Sequence, residues 1–310
     1  MINNMSVRKS VTLKVNGELV SKIADFYRVY ECENANEYID FFAKKGDTVI
    51  TVYSSKKDDV YKVVFMGESS LNEAHIFDEN ATLNEVKVKT APKKANWICL
   101  TTQFGSDEVG TGDLFGPICV AAALVKESDI ARLKELGIDD SKRLTDEKIK
   151  ELGKILINEF AYSQVALDNE KYNELVDKGL NINEMKCKLH NQVLLNLKKK
   201  YPSVKNIFVD QFVSEDKYYK YLSDTKNVVR DITFKTKGES YFPCVAVASI
   251  IARYSFLSKM EKLSKKYKRE IPFGASKKVT EFAQQFANDS SREELLKITK
   301  KNFANLDEVI

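Results

Sequence analysis

Phe104-Gly105-Ser106-Asp107-Glu108-Val109-Gly110-Thr111-Gly112-Asp113-Leu114-Phe115-Gly116-Pro117 is the richest local concentration of glycine in a lysine-rich chain. Two adjacent carboxylates, Asp107 and Glu108, lead directly into a glycine turn. An apolar run at residues 97–100 precedes the stretch and another at 118–125 follows it, a pattern that predicts strand, tight turn, strand. Neighbouring strand residues project to opposite faces, so Asp107 and Glu108 line one face only if the strand ends or twists there. Gly110 and Gly112 can take positive φ and let another backbone, or a ligand, approach the peptide amides. A hairpin turn with two solvated acids accounts for this stretch as readily, and the choice rests on the remainder of the chain.

The 310 residues suit about two domains, and 43% hydrophobic with 30% charged residues describes a soluble globular protein. No apolar stretch approaches the roughly 20 residues of a membrane helix, and the first residues have no signal-peptide core, so no membrane partner and a cytoplasmic location are expected. Cys32, Cys99, Cys119, Cys187 and Cys244 include no CxxC pair, and only His75 and His190 supply imidazole. Neither a disulfide framework nor a zinc site is implied, and a Ser-His-Asp triad is poorly supplied. Any metal would be held by oxygen ligands. Residues 1–96 carry 14 basic and 14 acidic side chains, so the net charge of +4 arises entirely in 97–310. Lys259, Lys262, Lys265, Lys266, Lys268 and Arg269 cluster there, which a solvated helix face explains as well as a polyanion partner does.

Periodicity predicts a small α+β unit: a strand over 11–15, helices over 17–27 and 37–44, strands over 48–53 and 60–66, and a helix opening at Ser69. Residues 79–95, polar and lysine-rich with Pro92, read as linker, which places domains at 1–90 and 97–310 with 91–96 between them. Beyond the hairpin come helices over 130–136 and 146–157, the second capped by Thr145. A strand over 160–167, an amphipathic helix over 183–200 and a short buried strand over 206–209 that ends at Asp210 follow. A strand over 228–234 and a long helix over 245–266 with Ala246, Ala248 and Ala252 in its first turns complete a mixed-sheet α/β domain.

Asp107, Glu108, Asp210 and Glu239 all stand at element ends, where a scaffold can aim them. Several carboxylates with few histidines suit Mg²⁺ or Mn²⁺, and a pair of ions would activate water and stabilise the leaving oxygen of a phosphodiester. Taken singly, each acid is more often a solvated side chain or helix cap.

The stretch 107–117 resembles the signature of type 2 ribonucleases H, and its Gly-Thr-Gly form resembles ribonuclease HIII rather than the Gly-Arg-Gly of ribonuclease HII. Asp140-Ser141-Lys142, Asn181-Ile182-Asn183 with His190-Asn191, Val209-Asp210, residues 246–253 and Phe273-Gly274-Ala275-Ser276 keep the family's order. The resemblance implies an α/β ribonuclease H-like mixed-sheet catalytic domain. It also implies a small α+β substrate-binding domain before it, similar to one repeat of the TATA-binding protein.

By the same resemblance Asp107, Glu108, Asp210 and Glu239 are the catalytic metal ligands, for Mg²⁺ or Mn²⁺ with two ions during catalysis. The substrate is an RNA/DNA hybrid duplex, cut in its RNA strand to leave 5′-phosphate and 3′-hydroxyl ends by a monomeric endonuclease. Glu239 departs from the aspartate of many relatives, and Asp231 lies nearby. Gly110, Thr111 and Gly112 would contact ribose 2′-hydroxyls, and Ser141 with Lys142 would hold a phosphate, where an ordinary capping loop is the plainer reading. The missing arginine accompanies, in the family, a preference for runs of ribonucleotides over a single one in DNA. His190 reads as structural. Lys44, Lys45, Lys56, Lys57 and Lys62, interleaved with Tyr53 and Tyr61, could give the first domain one basic, stacking face. A nucleic-acid-binding protein without catalysis and a ribonuclease HII-like junction enzyme are the alternatives.

Overall fold

The computed structural model describes residues 9–33, 38–54, 59–84, 95–98, 100–138, 144–307 and 309. The chain divides into two compact units, 1–90 and 91–310. In the first, β1 (Ser10–Val15), β2 (Ile39–Lys45), β3 (Thr48–Tyr53) and β4 (Tyr61–Met66) form an antiparallel sheet in the order β1-β4-β3-β2. Alternation sends Val11, Leu13, Ile50, Val52, Val63 and Phe65 to one face. There they pack with Ile23 and Tyr27 of α1 (Gly17–Tyr27) and Ala74 of α2 (Ser70–His75).

Among the described residues the helix expected over 37–44 is not formed: Tyr38 lies in a turn and strand β2 begins at Ile39. Phe41 and Ala43 alternate inward, and residues 41–45 pair with 48–52 across a turn. A partner strand decides a short apolar run that periodicity alone leaves ambiguous. Nor does a linker begin at 79: Leu83 bridges to Val11, and the Asn84 amide donates to the Ser10 carbonyl at 2.7 Å.

The second unit is built on a five-stranded mixed sheet ordered β7-β6-β5-β8-β9. Its strands are β5 (Gln103–Val109), β6 (Ile118–Val125), β7 (Tyr162–Leu167), β8 (Asn206–Asp210) and β9 (Ile232–Lys235). The β5-β6 and β6-β7 pairs are antiparallel, and β5-β8 and β8-β9 are parallel. One layer packed on the sheet contains α3 (Ile130–Glu135), α4 (Asp146–Glu159) and the 25-residue α8 (Pro243–Tyr267). The other contains α5 (Asn169–Asp177), α6 (Ile182–Lys200) and α7 (Glu215–Tyr221). Helices α9 (Lys277–Asp289) and α10 (Arg292–Leu296) close a further cluster around Phe115, Phe256 and Phe286.

Residues 97, 98 and 100 of the apolar run are not strand. The strand is the small-residue stretch Gln103–Val109 itself, because α8 lies directly on it. A Cβ on Gly105 would stand 2.4 Å from the Val245 backbone nitrogen, so only glycine lets α8 approach this closely. The strand expected over 228–234 is confined to Ile232–Lys235. Val229 instead donates its amide to the Asn191 side chain at 2.8 Å, and Asp231 takes φ 60°, which interrupts extended backbone. Helix α5 joins the architecture from a stretch whose polar composition concealed it.

Candidate active site

The parallel pairing of β5 with β8 stops at Ser106 and Val209. Asp107 and Glu108 lie one and two residues past that point on β5, and Asp210 lies one past it on β8, so three acids gather where two strands diverge. In open α/β sheets, ligands bind outside the carboxyl ends of parallel strands, at such a divergence. β9 runs parallel to β8, so its carboxyl end at Lys235 leads to Glu239 at the same edge. Asp231 precedes the opposite end of β9, roughly 13 Å away at strand rise. Asp107, Glu108, Asp210 and Glu239 line one cleft of about 540 Å³ with Asp146, Lys237, Ser249 and Arg253, and Asp231 does not.

Strand alternation holds through the acidic pair. Asp107 turns toward α8, accepting a hydrogen bond from Ser249, and its Oδ1 accepts from the Glu108 amide at 2.7 Å. Burial pushes the Asp107 carboxyl well above the ordinary carboxylate range, and the charges of Glu108 and Asp210 raise it further. Glu108 turns toward α6, where Lys186 Nζ stands 2.6 Å from Oε1 and His190 Nε2 stands 2.9 Å from Oε2. A carboxylate only accepts, so Nε2 carries the proton and Nδ1 faces the Ser106 hydroxyl at 2.8 Å. Burial opposes ionisation of Glu108, but His190 and Lys186 outweigh it and bring the group down to about 2. Phe212 braces both donors, with the Lys186 ammonium 3.8 Å from its ring centroid and His190 stacked on it. Burial raises Asp210 as well, against the Gly238 amide that donates to Oδ1 at 2.8 Å.

As these side chains lie, no three His, Cys, Asp or Glu groups among the described residues converge as ready ligands. Glu108 is engaged by Lys186 and His190 instead. The donor set still fits a hard cation. All four groups are oxygen donors at one cleft, and the carboxylate buried among them is disfavoured as an anion by burial and by its like-charged neighbours, a penalty a divalent ion relieves.

Of the turn residues, Gly110 takes φ +97°, and a Cβ there would stand 2.2 Å from the Pro117 carbonyl oxygen. Gly112 is not in the left-handed region. It is exposed, and a side chain there would meet nothing within 4 Å of its Cβ, so its value is an open approach to the backbone rather than a special φ. Ser141 and Lys142 lie outside the described residues. In the first unit Lys44, Lys62 and Tyr53 face away from the helices, Lys62 Nζ lying 5.6 Å from the Tyr53 ring centroid. Lys14, paired with Lys62 in register, joins them unforeseen. Lys45 is corrected to the helix side, where it pairs with Glu73 at 2.9 Å, and Tyr61 packs against the same core. Lys56 and Lys57 fall outside the described residues.

Sequence reading missed Lys186, Ser249, Arg253 and Lys237 and took His190 as structural. Their signal was present in part: Lys186 and His190 are four apart on α6, and a lysine beside Met185 and Cys187 is an anomaly in an apolar helix face.

A model of the ribonuclease HII family matches residues 104–306, and a domain of unknown function matches 10–90. The chain is 38% identical to a ribonuclease HIII of Bacillus cereus (strain ZK / E33L) over 96% of this chain and 97% of the relative. It is 41% identical to one of Bacillus mycoides (strain KBAB4) over 86% of each. The structure is similar to Bst-RNase HIII in complex with Mn²⁺, with a TM-score of 0.67 and 33% identity across 97% of both chains. The fold is also that of Aquifex aeolicus RNase H3, at a TM-score of 0.53 and 23% identity over 94% of this chain and 99% of that one. The mixed sheet is that of the ribonuclease HII family, and the chain is a ribonuclease H, a hydrolase. Near-full-length similarity shows that the chain belongs to the ribonuclease HIII branch of that family.

Proposed function

We propose that this chain cleaves the RNA strand of RNA/DNA hybrids by metal-assisted phosphodiester hydrolysis, leaving 5′-phosphate and 3′-hydroxyl ends, with Asp107, Glu108, Asp210 and Glu239 as the metal ligands. The observation that carries this reading is the burial of Asp107 within reach of the charges of Glu108 and Asp210 in the lining of one cleft. Asp107, Glu108, Asp210 and Glu239 would hold Mg²⁺ or Mn²⁺, two ions during catalysis, which would supply an activated water and offset the charge of the leaving oxygen. Lys186 and His190 hold Glu108 ionised and oriented. Ser249 and the Glu108 amide orient Asp107, and the Gly238 amide orients Asp210. The Arg253 guanidinium, fixed by Asp146 at 3.0 Å, places positive charge on the cleft wall where a phosphate chain would run.

The Gly110–Gly112 turn reads ribose through bare backbone, and Thr111 in place of arginine favours runs of ribonucleotides over a single embedded one. Ser141 and Lys142 hold a substrate phosphate. The first domain binds the duplex through Lys14, Lys44, Lys62 and Tyr53. The enzyme acts as a monomer in the cytoplasm.

Asp107→Asn removes one ligand's charge while keeping its shape. Hybrid cleavage should fall at least about 10³-fold while hybrid binding in Ca²⁺ stays within about twofold; retained cleavage would sink the site assignment. Duplexes carrying one or four ribonucleotides, cut in Mg²⁺ and in Mn²⁺, test the substrate reading. Preference for the single ribonucleotide would make this a junction enzyme.

A further inference from the structure

Lys300 is fully buried, and its ammonium is satisfied by the main chain rather than by a carboxylate. Nζ donates to the Asp113 carbonyl and to the Gly116 carbonyl, both at 2.7 Å. Burying an ammonium costs several kcal/mol even in a relaxed protein interior, so a leucine would fill this volume more stably unless the two carbonyls need a donor. Those carbonyls belong to the segment that follows the Gly110–Gly112 turn and returns it to the sheet.

The same segment is tied at several other polar atoms. Asn169 Nδ2 is a second donor to the Gly116 carbonyl, at 2.9 Å. The Gly116 amide donates to the Ile298 carbonyl at 3.1 Å, and the Lys300 amide to the Leu114 carbonyl at 3.0 Å. On the other side, Asp113 Oδ1 accepts from the Gly274 amide at 2.6 Å, and the Leu114 amide donates to the Gly274 carbonyl at 2.9 Å. The C-terminal segment is itself held by α5, since Asn173 Nδ2 donates to the Leu296 and Thr299 carbonyls at 2.9 and 3.0 Å. The turn thus stands on a buried, hydrogen-bonded base, and Lys300 contributes two bonds to it from one charged group.

We propose that Lys300 is a positioning residue for substrate recognition: by tying the Asp113 and Gly116 carbonyls it sets the angle at which the Gly110–Gly112 backbone meets the ribose of the substrate strand. The inference rests on the reading of that turn as the ribose contact. Backbone recognition of a 2′-hydroxyl has no side-chain rotamer to absorb a misplacement, so precision has to come from the support.

The test compares three full-length variants, Lys300→Met, Asn169→Leu and Gly112→Ala, by thermal melting, Mn²⁺ titration calorimetry, and kcat and KM on an RNA/DNA hybrid. Affinity for the hybrid against an all-DNA duplex is measured in Ca²⁺. Lys300→Met keeps chain length but loses the donors. It should raise KM and shrink the hybrid-over-DNA preference by about tenfold, the worth of roughly one hydrogen bond, with kcat and Mn²⁺ affinity within about twofold. Asn169→Leu, which loosens the same Gly116 carbonyl from the other side, should move KM in the same direction by about threefold, and serves alone if Lys300→Met does not fold. A drop in kcat or Mn²⁺ affinity with preference unchanged overturns the proposal. If Gly112→Ala lowers the preference while the two support variants leave it intact, Lys300 is not the positioning residue although the turn reads ribose. If Gly112→Ala leaves the preference intact, the ribose reading falls and the proposal with it.

Discussion

Both carboxylate oxygens of Glu108 are met by N–H donors, from Lys186 and His190, in a place where side-chain exposure is about 10%. Removing one partner of a buried charge pair leaves the other uncompensated. Lys186→Met should therefore cost about 3 kcal/mol in urea unfolding, and should lower kcat more than KM because it frees the Glu108 carboxylate. Lys300 offers a pH test. Burial pulls its amine down to about 8 from 10.5, against the pull of Asp113 and Cys119 in the other direction. Between these values the unfolded chain binds the proton that the folded one has released, so stability rises with pH across that window. Measured as the difference from Lys300→Met, wild-type unfolding free energy should increase between pH 8 and 10.5 and be level below 8. Asp107, Glu108, Asp210 and the glycine turn were readable as residues, since acids and glycines leave a local mark. Lys186 and Lys300 were not, because a lysine stands out only when the fold buries it.

The element on which the cleft depends is the contact of α8 with β5. Alanines at 246, 248 and 252 announced a helix that approaches a sheet closely, and α8 does so along β5. The partner's half of that contact, Gly105, was legible only as part of a turn. Gly105→Ala would set a Cβ 2.4 Å from the Val245 nitrogen and 2.5 Å from Cys244 Sγ, so backbone must move. The variant should lose about 3 kcal/mol, seen as a fall in Tm of roughly 6–12 °C. Strand β2 and the shortened β9 escaped sequence reading for one physical reason: a strand is defined by its neighbour, whereas the capped, periodic helices α1, α4 and α6 carry their evidence locally. Asn16, Thr145 and Asn181 each cap one of these helices with a side-chain oxygen, and of the three Thr145 alone is expected as a cap from the sequence.

At the scale of the molecule, the excess positive charge lies in residues 97–310, yet the first unit gathers Lys14, Lys44 and Lys62 beside Tyr53 on the sheet face turned away from its helices. Zero net charge in sequence therefore coexists with a basic face, because Lys45 and Lys9 are paired off with Glu73 and Glu68. Replacing Lys14, Lys44 and Lys62 by alanine should raise KM for the hybrid by about tenfold at about 150 mM salt, leave kcat within about twofold, and flatten the salt dependence of binding by about two to three counterions. An unchanged salt slope would exclude this face from the substrate.

Residue type and order along the chain determined the chemistry that is possible here: oxygen donors for a hard cation, a glycine turn of low steric demand, two units joined near residue 90, and helices whose caps and periods are local. Tertiary structure alone decided that Glu108 is held by Lys186 and His190, and that a lysine 184 residues downstream of Gly116 ties the carbonyls behind the turn. The division follows from range. Caps, periodicity and turn chemistry act over a few residues and leave their trace in sequence, whereas strand neighbours, burial of charge and the convergence of side chains depend on contacts made only when distant segments meet.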